Sequence, residues 1–252
     1  MLELWRYPVK SLQGERLDEA EIGPLGIAGD RGWALFDRDT GLGLTARRVP
    51  ELLFGSARLR ADGGVEVVLP DGTVTTDETV LSDWLGRRVE LRAAPDDDDA
   101  APTYEAPVDE EVPDPTEWLQ WEGAPGPFHD SPRIRLSLVS TGTLGTWDRR
   151  RFRANVVLDG DGEDGLRGQE ADLGTVRLRF GVPIPRCVMT TRPQPGGIAR
   201  DTSVLKDIHR EREGCSPCGP PSSAPGPCAP AIPCCSTDRQ TEGHACRRPP
   251  PR

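Results

Sequence analysis

Residues 181–191, with the sequence GVPIPRCVMTT, present Cys187, the only cysteine among the first 214 residues. Pro183 and Pro185 favour an extended approach to the thiol, because proline fixes φ and disfavours the helical conformation of the residue before it. Three of the four residues after the thiol are β-branched, which favours a strand, and the neighbouring Arg186 would favour the thiolate over the thiol. The pattern predicts a rigidly presented thiol at the start of a strand, although a buried structural role is more common for a single cysteine.

The composition favours a protein built from short strands and many turns. The 252 residues include 28 Gly and 26 Pro, about a fifth of a chain that is long enough for two modules. The net charge of −10 argues against a nonspecific nucleic-acid binder, which needs a basic surface. No apolar run approaches the roughly 20 residues that span a bilayer, and no signal-peptide pattern is apparent. We therefore expect a soluble, cytoplasmic protein that binds neither nucleic acid nor membrane.

The pattern of apolar residues in residues 1–94 predicts a β-rich N-terminal domain. The predicted strands are 2–7, 17–22, 33–37, 54–60, 65–69 and 89–93, with one helix at 76–85 that has a possible cap at Thr76. The turn after the first strand presents Lys10 and Ser11, whose donors suit an anion, although a solvated lysine is the default interpretation. Asp30 and Arg31 lie between glycines, where they can face a ligand or simply tie down their loop.

A change in composition separates this domain from a second one. Residues 95–117 are acidic and rich in proline, which predicts a linker or a long surface loop. A calcium site is the alternative here, but the ligand spacing that calcium loops require is missing. In residues 118–213, strands are predicted at 133–140, 151–159 and 175–180, and a short helix at 141–147. The expected fold class is mainly β with a few short helices.

Four short motifs in this order resemble the MOSC family, which is named after the C-terminal domain of molybdenum cofactor sulfurases. They are YPVKS at 7–11, GDRGW at 29–33, FRAN at 152–155 and PRCVMTT at 185–191. The chain is similar to the two-part, amidoxime-reducing members of the family and their bacterial relatives. The resemblance implies an N-terminal MOSC β-barrel domain at 1–94, followed by a β-barrel-like MOSC domain at 118–213.

The resemblance also implies a molybdopterin-type molybdenum cofactor, with the metal held by Cys187 as the catalytic residue. The residues that would bind the pterin and its phosphate by motif position are Lys10, Ser11, Arg31, Ser131, Arg153 and Asn155. The chain departs from the family in having Ala154 where proline is usual and Pro185 where some relatives have serine. The chemistry of the residues is consistent with this cofactor, because a thiolate suits a metal already bound by sulfur, and a phosphate requires cations and donors.

The reaction implied by the resemblance is the two-electron reduction of an N-hydroxylated compound, with the oxygen leaving as water. It requires an external electron donor, a ferredoxin-type protein or a flavin reductase, because the sequence shows no second redox motif. The alternatives are a non-catalytic carrier of cofactor or sulfur, and an inactive chain. The wider family is also associated with pyridoxal phosphate, but no lysine here has the sequence context of a Schiff base.

Residues 214–252 differ abruptly from the rest, with six cysteines, many prolines and no strand or helix period, which predicts a disordered tail. A frameshifted or misassigned end of a GC-rich gene is the favoured explanation, and the MOSC domain would then lack closing strands and leave an open sheet edge. Zinc is an alternative, but the spacing matches no standard finger. The residues concerned are Cys215, Cys218, Cys234, Cys235, His244 and Cys246. Disulfides are not expected in a reducing compartment.

Overall fold

The computed structural model describes residues 2–95, 101–109, 112, 114–211 and 231–236, and for residues 182–183 and 231–236 it describes the backbone alone. Within these residues the fold is mainly β with a few short helices, as the sequence predicted. The part of the chain that is described contains no helix long and apolar enough to cross a membrane.

The strands are short and joined mostly by turns. They are β1 (Glu3–Arg6), β2 (Glu15–Leu17), β3 (Ile22–Gly23), β4 (Gly26–Ile27), β5 (Trp33–Asp37), β6 (Ser56–Leu59), β7 (Val65–Val68), β8 (Val74–Thr75), β9 (Val89–Ala93), β10 (Thr103–Pro107), β11 (Trp118–Glu122), β12 (Leu136–Ser140), β13 (Val156–Leu158), β14 (Glu170–Leu173), β15 (Val176–Pro185) and β16 (Ala231–Ser236). The α-helices are α1 (Glu78–Leu85), α2 (Thr141–Leu144) and α3 (Ser203–Glu211). Single 3-10 turns cover Pro50–Phe54, Arg149–Arg151, Glu163–Leu166 and Val188–Thr191.

The largest sheet has seven strands in the order β14-β15-β16-β12-β13-β1-β2. Strands β12 and β13 are parallel, and the other neighbours are antiparallel. Strand β1 pairs with β13 through Leu4 and Val156, both of which are buried. The first strands of the predicted N-terminal domain therefore belong to the same sheet as strands of the second domain. The predicted boundaries themselves, at 94, 117 and 213, stay predictions.

The rest of the N-terminal half packs around its own apolar core. Strands β5 and β9 pair antiparallel, from Trp33 opposite Ala93 to Asp37 opposite Val89, and both have the predicted bounds. Helix α1 is also confirmed, with Leu81 fully buried in this core. Its cap is Asp77 rather than Thr76, since the Asp77 carboxylate accepts hydrogen bonds from two backbone N–H groups of the first turn.

Three predicted segments are shorter or more ordered than the sequence indicated. Residues 17–22 are strand only at their two ends, and 151–159 only at Val156–Leu158. Strand β10 lies inside the predicted linker and forms a hairpin with β11. Tyr104 explains this hairpin, because its side chain is fully buried and the centre of its ring lies 5.1 Å from the centre of the Trp121 ring. The acidic run at 96–99, where calcium was considered, lies outside the described residues.

Strand β16 corrects part of the expectation for the tail. Residues 231–236 pair antiparallel with β15 on one side and with β12 on the other. The sequence predicted neither this strand nor a partner for these two edges, since its prolines and cysteines show no alternating pattern. The other residues of the tail, including four of the six considered for zinc, lie outside the described residues.

Candidate functional site

Cys187 follows β15, and the residues after it form a 3-10 turn instead of the predicted strand. The Thr190 hydroxyl donates to the Cys187 carbonyl at 3.0 Å, and the Thr191 hydroxyl donates to the Val188 carbonyl at 2.8 Å. These bonds to carbonyls three residues earlier compete with a strand ladder and outweigh the β propensity of the segment. The extended approach through the prolines is confirmed, because β15 continues to Pro185.

Arg151 fixes the loop that follows the thiol. Its buried guanidinium donates to the carbonyls of Thr190 at 3.0 Å, Arg192 at 3.1 Å and Ala199 at 2.7 Å. This contact was not predicted from the sequence, because Arg151 was assigned to the start of a strand and its three acceptors lie about 40 residues further along the chain. The 3-10 turn Arg149–Arg151 therefore fixes the loop after Cys187 through the Arg151 side chain.

A cavity of about 110 Å³ lies beside Cys187 and is strongly basic. Six arginines and one carboxylate line it. They are Arg31, Arg47, Arg135, Arg151, Arg153 and Arg186, with Asp130. A concave, partly dehydrated site with this charge balance favours an anionic ligand, and guanidinium groups bind oxyanions with two parallel hydrogen bonds.

Three residues near this cavity have a left-handed backbone, which is unfavourable for any residue other than glycine. They are Ser11 at φ 70°, Arg31 at φ 54° and Arg153 at φ 52°, and no other non-glycine residue in the described ranges has a positive φ. All three were predicted to bind the cofactor. Such strained residues concentrate at functional sites, because the surrounding fold must hold them in place.

Tyr7 and Asp30 organise the two strained arginines. The buried Asp30 carboxylate accepts the Tyr7 backbone N–H at 2.7 Å and forms an ion pair with Arg31. The guanidinium carbons of Arg31 and Arg153 lie 5.3 and 4.6 Å from the centre of the Tyr7 ring. Asp30 therefore ties down its loop, as one interpretation of the sequence held, while Arg31 lines the cavity.

Lys10 is buried, so the default interpretation of a solvated lysine is wrong. Its Nζ donates to the Phe128 carbonyl at 2.9 Å and to Asp130, and it lies 4.6 Å from the centre of the Tyr104 ring. Burial lowers the pKa of Lys10, although Asp130 opposes the shift. Burial also lowers the pKa of Arg153, to about 10, so this guanidinium remains charged at neutral pH.

Five of the predicted site residues line the basic cavity, and two do not. The five are Arg31, Ser131, Arg153, Asn155 and Cys187. Lys10 does not line the cavity, but its Nζ donates to Asp130, which does. Ser11 uses its hydroxyl oxygen to accept the Ala46 backbone N–H at 3.0 Å, which fixes the turn that carries it.

Asn155 has a structural task in addition to its place at the cavity. Its Oδ1 accepts the backbone N–H and the hydroxyl of Ser137 at 3.1 and 2.9 Å, and its Nδ2 donates to the Trp5 carbonyl at 3.2 Å. These bonds join β1, β12 and the start of β13 beside the cavity. An amide that satisfies three backbone or hydroxyl partners contributes to the fold whether or not it touches a ligand.

The buried nitrogens at the cavity wall that lack a hydrogen-bond partner in the described part of the chain include Nε2 of His129 and Nε of Arg186. Burial, together with the charge of Arg31, lowers the pKa of His129 to about 4, so this imidazole is neutral at pH 7. His129 was not predicted as a site residue, although Ser131 in the same FHDSP turn was. Buried polar atoms without partners indicate a ligand or ordered water in the native protein.

Comparison with known proteins agrees with these observations. The family described as MOSC N-terminal beta barrel domain matches residues 1–102. The chain therefore contains a MOSC N-terminal domain. It is similar to mitochondrial amidoxime reducing component 2 of Bos taurus, with 28% identity over 247 residues that cover 83% of this chain and 71% of the relative.

The residues that line the cavity beside Cys187 are of the types that bind an anionic group carrying a sulfur-loving metal. Cys187 offers a sulfur ligand, the arginines offer charge for a phosphate, and the unpartnered Nε2 of His129 offers a further hydrogen bond. The volume of about 110 Å³ admits a phosphate-sized group.

Proposed function

We propose that this chain binds a molybdopterin-type molybdenum cofactor through Cys187 and reduces N-hydroxylated compounds. The observation that carries the proposal is the meeting of Cys187, Arg31 and Arg153 at one basic cavity, although they are widely separated in sequence. Two of these three residues have the left-handed backbone that a merely structural arginine seldom needs. The similarity to an amidoxime reducing component supports the choice of substrate class.

Each group of residues has a separate task in this proposal. Arg31 and Arg153 bind the phosphate, with Lys10 and Asp130 setting the charge behind them. Cys187 holds the metal, and Arg151 holds the turn after Cys187 in one conformation. When it is bound, the cofactor supplies the two-electron redox chemistry. The cavity walls restrict water around the thiol and keep the ligand in one orientation.

The overall reaction balances as an amidoxime plus two electrons and two protons, giving an amidine and water. The N–O bond breaks; one proton from solvent converts the departing hydroxyl group to water, and the other protonates the amidine nitrogen. The electrons come from an external donor, which we propose to be a ferredoxin-type protein or a flavin reductase. We also propose a cytoplasmic location, without nucleic-acid or membrane partners.

Molybdenum analysis of the full chain, expressed with cofactor supply, tests the proposal. We expect near-stoichiometric molybdenum in the wild type, its loss in Cys187→Ala and Arg153→Met, and retention in Arg58→Met. Arg58 is a matched control, because it pairs with Glu66 on the exposed face of β6 and does not line the cavity. Wild type without molybdenum, or Cys187→Ala with a full complement, would contradict the proposal.

Turnover is measured separately, with benzamidoxime and a chemically reduced viologen as artificial donor. Formation of benzamidine at a rate that follows molybdenum content supports the enzyme. Bound molybdenum without turnover would instead identify a non-catalytic carrier of cofactor or sulfur. A wild type that retains no molybdenum, together with a Cys187→Ala variant that does not differ from it, would identify an inactive chain.

A further inference from the structure

A second cavity, of about 330 Å³, adjoins the basic one. Phe152 and Arg186 line both cavities and form the wall between them. The other walls come from α2, from the turn Glu163–Leu166 and from the C-terminal end of α3. A volume of this size is in the range of small-molecule sites.

The apolar wall of this second cavity suits a flat ligand. The rings of Trp147 and Phe152 have centroids 5.8 Å apart and planes inclined by 34°. Ile208, which is buried, completes this side of the wall. Aromatic faces present a negative quadrupole, so they favour a planar cation over a planar anion.

The rim of the second cavity is acidic, in contrast to the basic cavity beside it. Asp161, Asp164 and Glu211 are exposed there, and Glu163 is buried behind them. The Glu163 carboxylate accepts the Ser140 backbone N–H at 3.0 Å and belongs to the fold. Among the described lining residues, Arg186 is the one cation. Four carboxylates beside one guanidinium leave a negative field that attracts a positively charged molecule.

Arg186 gives this cavity a polar end. Its Nη2 donates to the Phe152 carbonyl, while its buried Nε has no hydrogen-bond partner in the described ranges. A ligand oxygen placed against Nε would satisfy this donor. The combined walls therefore match a flat cation that carries an oxygen acceptor at the end nearest Cys187.

We propose that the second cavity binds a flat organic cation, of which an aryl amidinium is the simplest example, with any oxygen-bearing end at Arg186. It then serves as the subsite for the organic part of the substrate and selects positively charged N-hydroxylated compounds. The assignment as a substrate subsite rests on the proposed function. Binding of the cation itself does not, because neither molybdenum nor Cys187 takes part in it.

Calorimetric titration of the full chain with benzamidine, at low ionic strength and without molybdenum, tests the binding site. We expect saturable binding that weakens about tenfold in Asp161→Asn/Asp164→Asn, since each rim charge contributes modestly to attraction of a cation. Benzamide, which has the same shape without the charge, should bind weakly to both forms. Asp18→Asn/Glu19→Gln removes equal charge from exposed residues that do not line the cavity, and it should bind benzamidine as the wild type does.

A second variant tests the position of the rim without changing its charge. A methyl group at Gly142 would overlap the carboxylate of Asp161, so Gly142→Ala should displace that loop and weaken benzamidine binding. Wild type without saturable binding, equal binding of benzamide, or equal weakening in the Asp18→Asn/Glu19→Gln control would overturn the proposal.

Separate readouts distinguish failure of this site from failure of the proposed function. Asp161→Asn/Asp164→Asn should retain the molybdenum content of the wild type and raise KM for a cationic amidoxime with little change in kcat. Benzamidine binding by a chain that retains no molybdenum even when it is expressed with cofactor supply would support the cation site and contradict the proposed function. Molybdenum-dependent turnover without benzamidine binding supports the function and contradicts this site.

Discussion

Replacement of Arg151 by methionine should destabilise the protein through the loop that follows Cys187. The methionine keeps an unbranched apolar side chain but removes donors to three carbonyls, those of Thr190, Arg192 and Ala199. A hydrogen bond to a charged group contributes about 1.5–3 kcal/mol, and the three bonds are not additive because they share one guanidinium. We expect the free energy of unfolding to fall by about 3–5 kcal/mol, which is a large part of the stability of an ordinary domain.

Urea unfolding followed by circular dichroism measures this loss. Arg150→Met is the matched control, because Arg150 lies next to Arg151 but is partly exposed and pairs with Asp148 at 2.8 Å. It also donates to the Pro195 carbonyl, so it contacts the same loop from the outside. Loss of this exposed arginine should cost about 1 kcal/mol or less.

If Arg151 positions the loop after Cys187, two further measurements should show it. Arg151→Lys keeps the charge but cannot reach three acceptors with one ammonium group, so we expect intermediate stability and intermediate molybdenum content. Cys187 should also react faster with iodoacetamide in Arg151→Met, as measured by mass spectrometry of the peptide. An Arg151→Met protein whose free energy of unfolding matches that of Arg150→Met would refute the role of Arg151 in holding this loop.

Three further outcomes follow from buried groups elsewhere. The pKa of His129 is lowered to about 4 in the folded protein, so the unfolded state binds more protons than the folded state below pH 6.5. The free energy of unfolding should therefore fall by about 2 kcal/mol from pH 6.5 to 5. His129→Gln should remove that part of the pH dependence, as urea unfolding at both pH values would show. Gly43→Ala places a methyl group into the Tyr104 ring, so calorimetry should give a lower Tm and a loss of about 1–3 kcal/mol; an unchanged Tm would contradict this packing. Leu81→Ala empties a fully buried site on α1 and should cost about 2–5 kcal/mol in urea unfolding, whereas Val80→Ala, on the exposed side of the same helix, should cost less than 1 kcal/mol.

Local patterns were sufficient where the deciding contacts are local. Strands β5 and β9 could be predicted to the residue, because β5 is a short apolar run and β9 alternates apolar and charged residues. Helix α1 was placed by its spacing of apolar residues, and only its cap was wrong by one position. At the candidate site, the motifs identified Arg31, Arg153 and Cys187, which the fold brings to one cavity.

Contacts between distant residues explain what the sequence did not show. The turn after Cys187 depends on hydroxyl groups that bond backward and on Arg151, which no local propensity registers. Strand β10 was predicted as part of a linker, because its neighbours are acidic and a single tyrosine does not change the average composition of the segment. The acidic second cavity was also invisible, because Asp161, Trp147 and Arg186 approach one another only after β13 and β15 are placed.

The backbone strain at Ser11, Arg31 and Arg153 links the fold to the site. Each left-handed residue costs about 1–3 kcal/mol and persists only where its surroundings hold it. The Arg31 backbone N–H donates to the Tyr7 carbonyl at 2.7 Å, and the Arg153 guanidinium donates to the Leu12 carbonyl. Each strained residue is therefore held by the segment of residues 7–12 or, for Ser11, lies within it. Because β1, which pairs with β13, leads directly into this segment, the pairing that unites the two predicted domains also places both arginines at the same basic cavity.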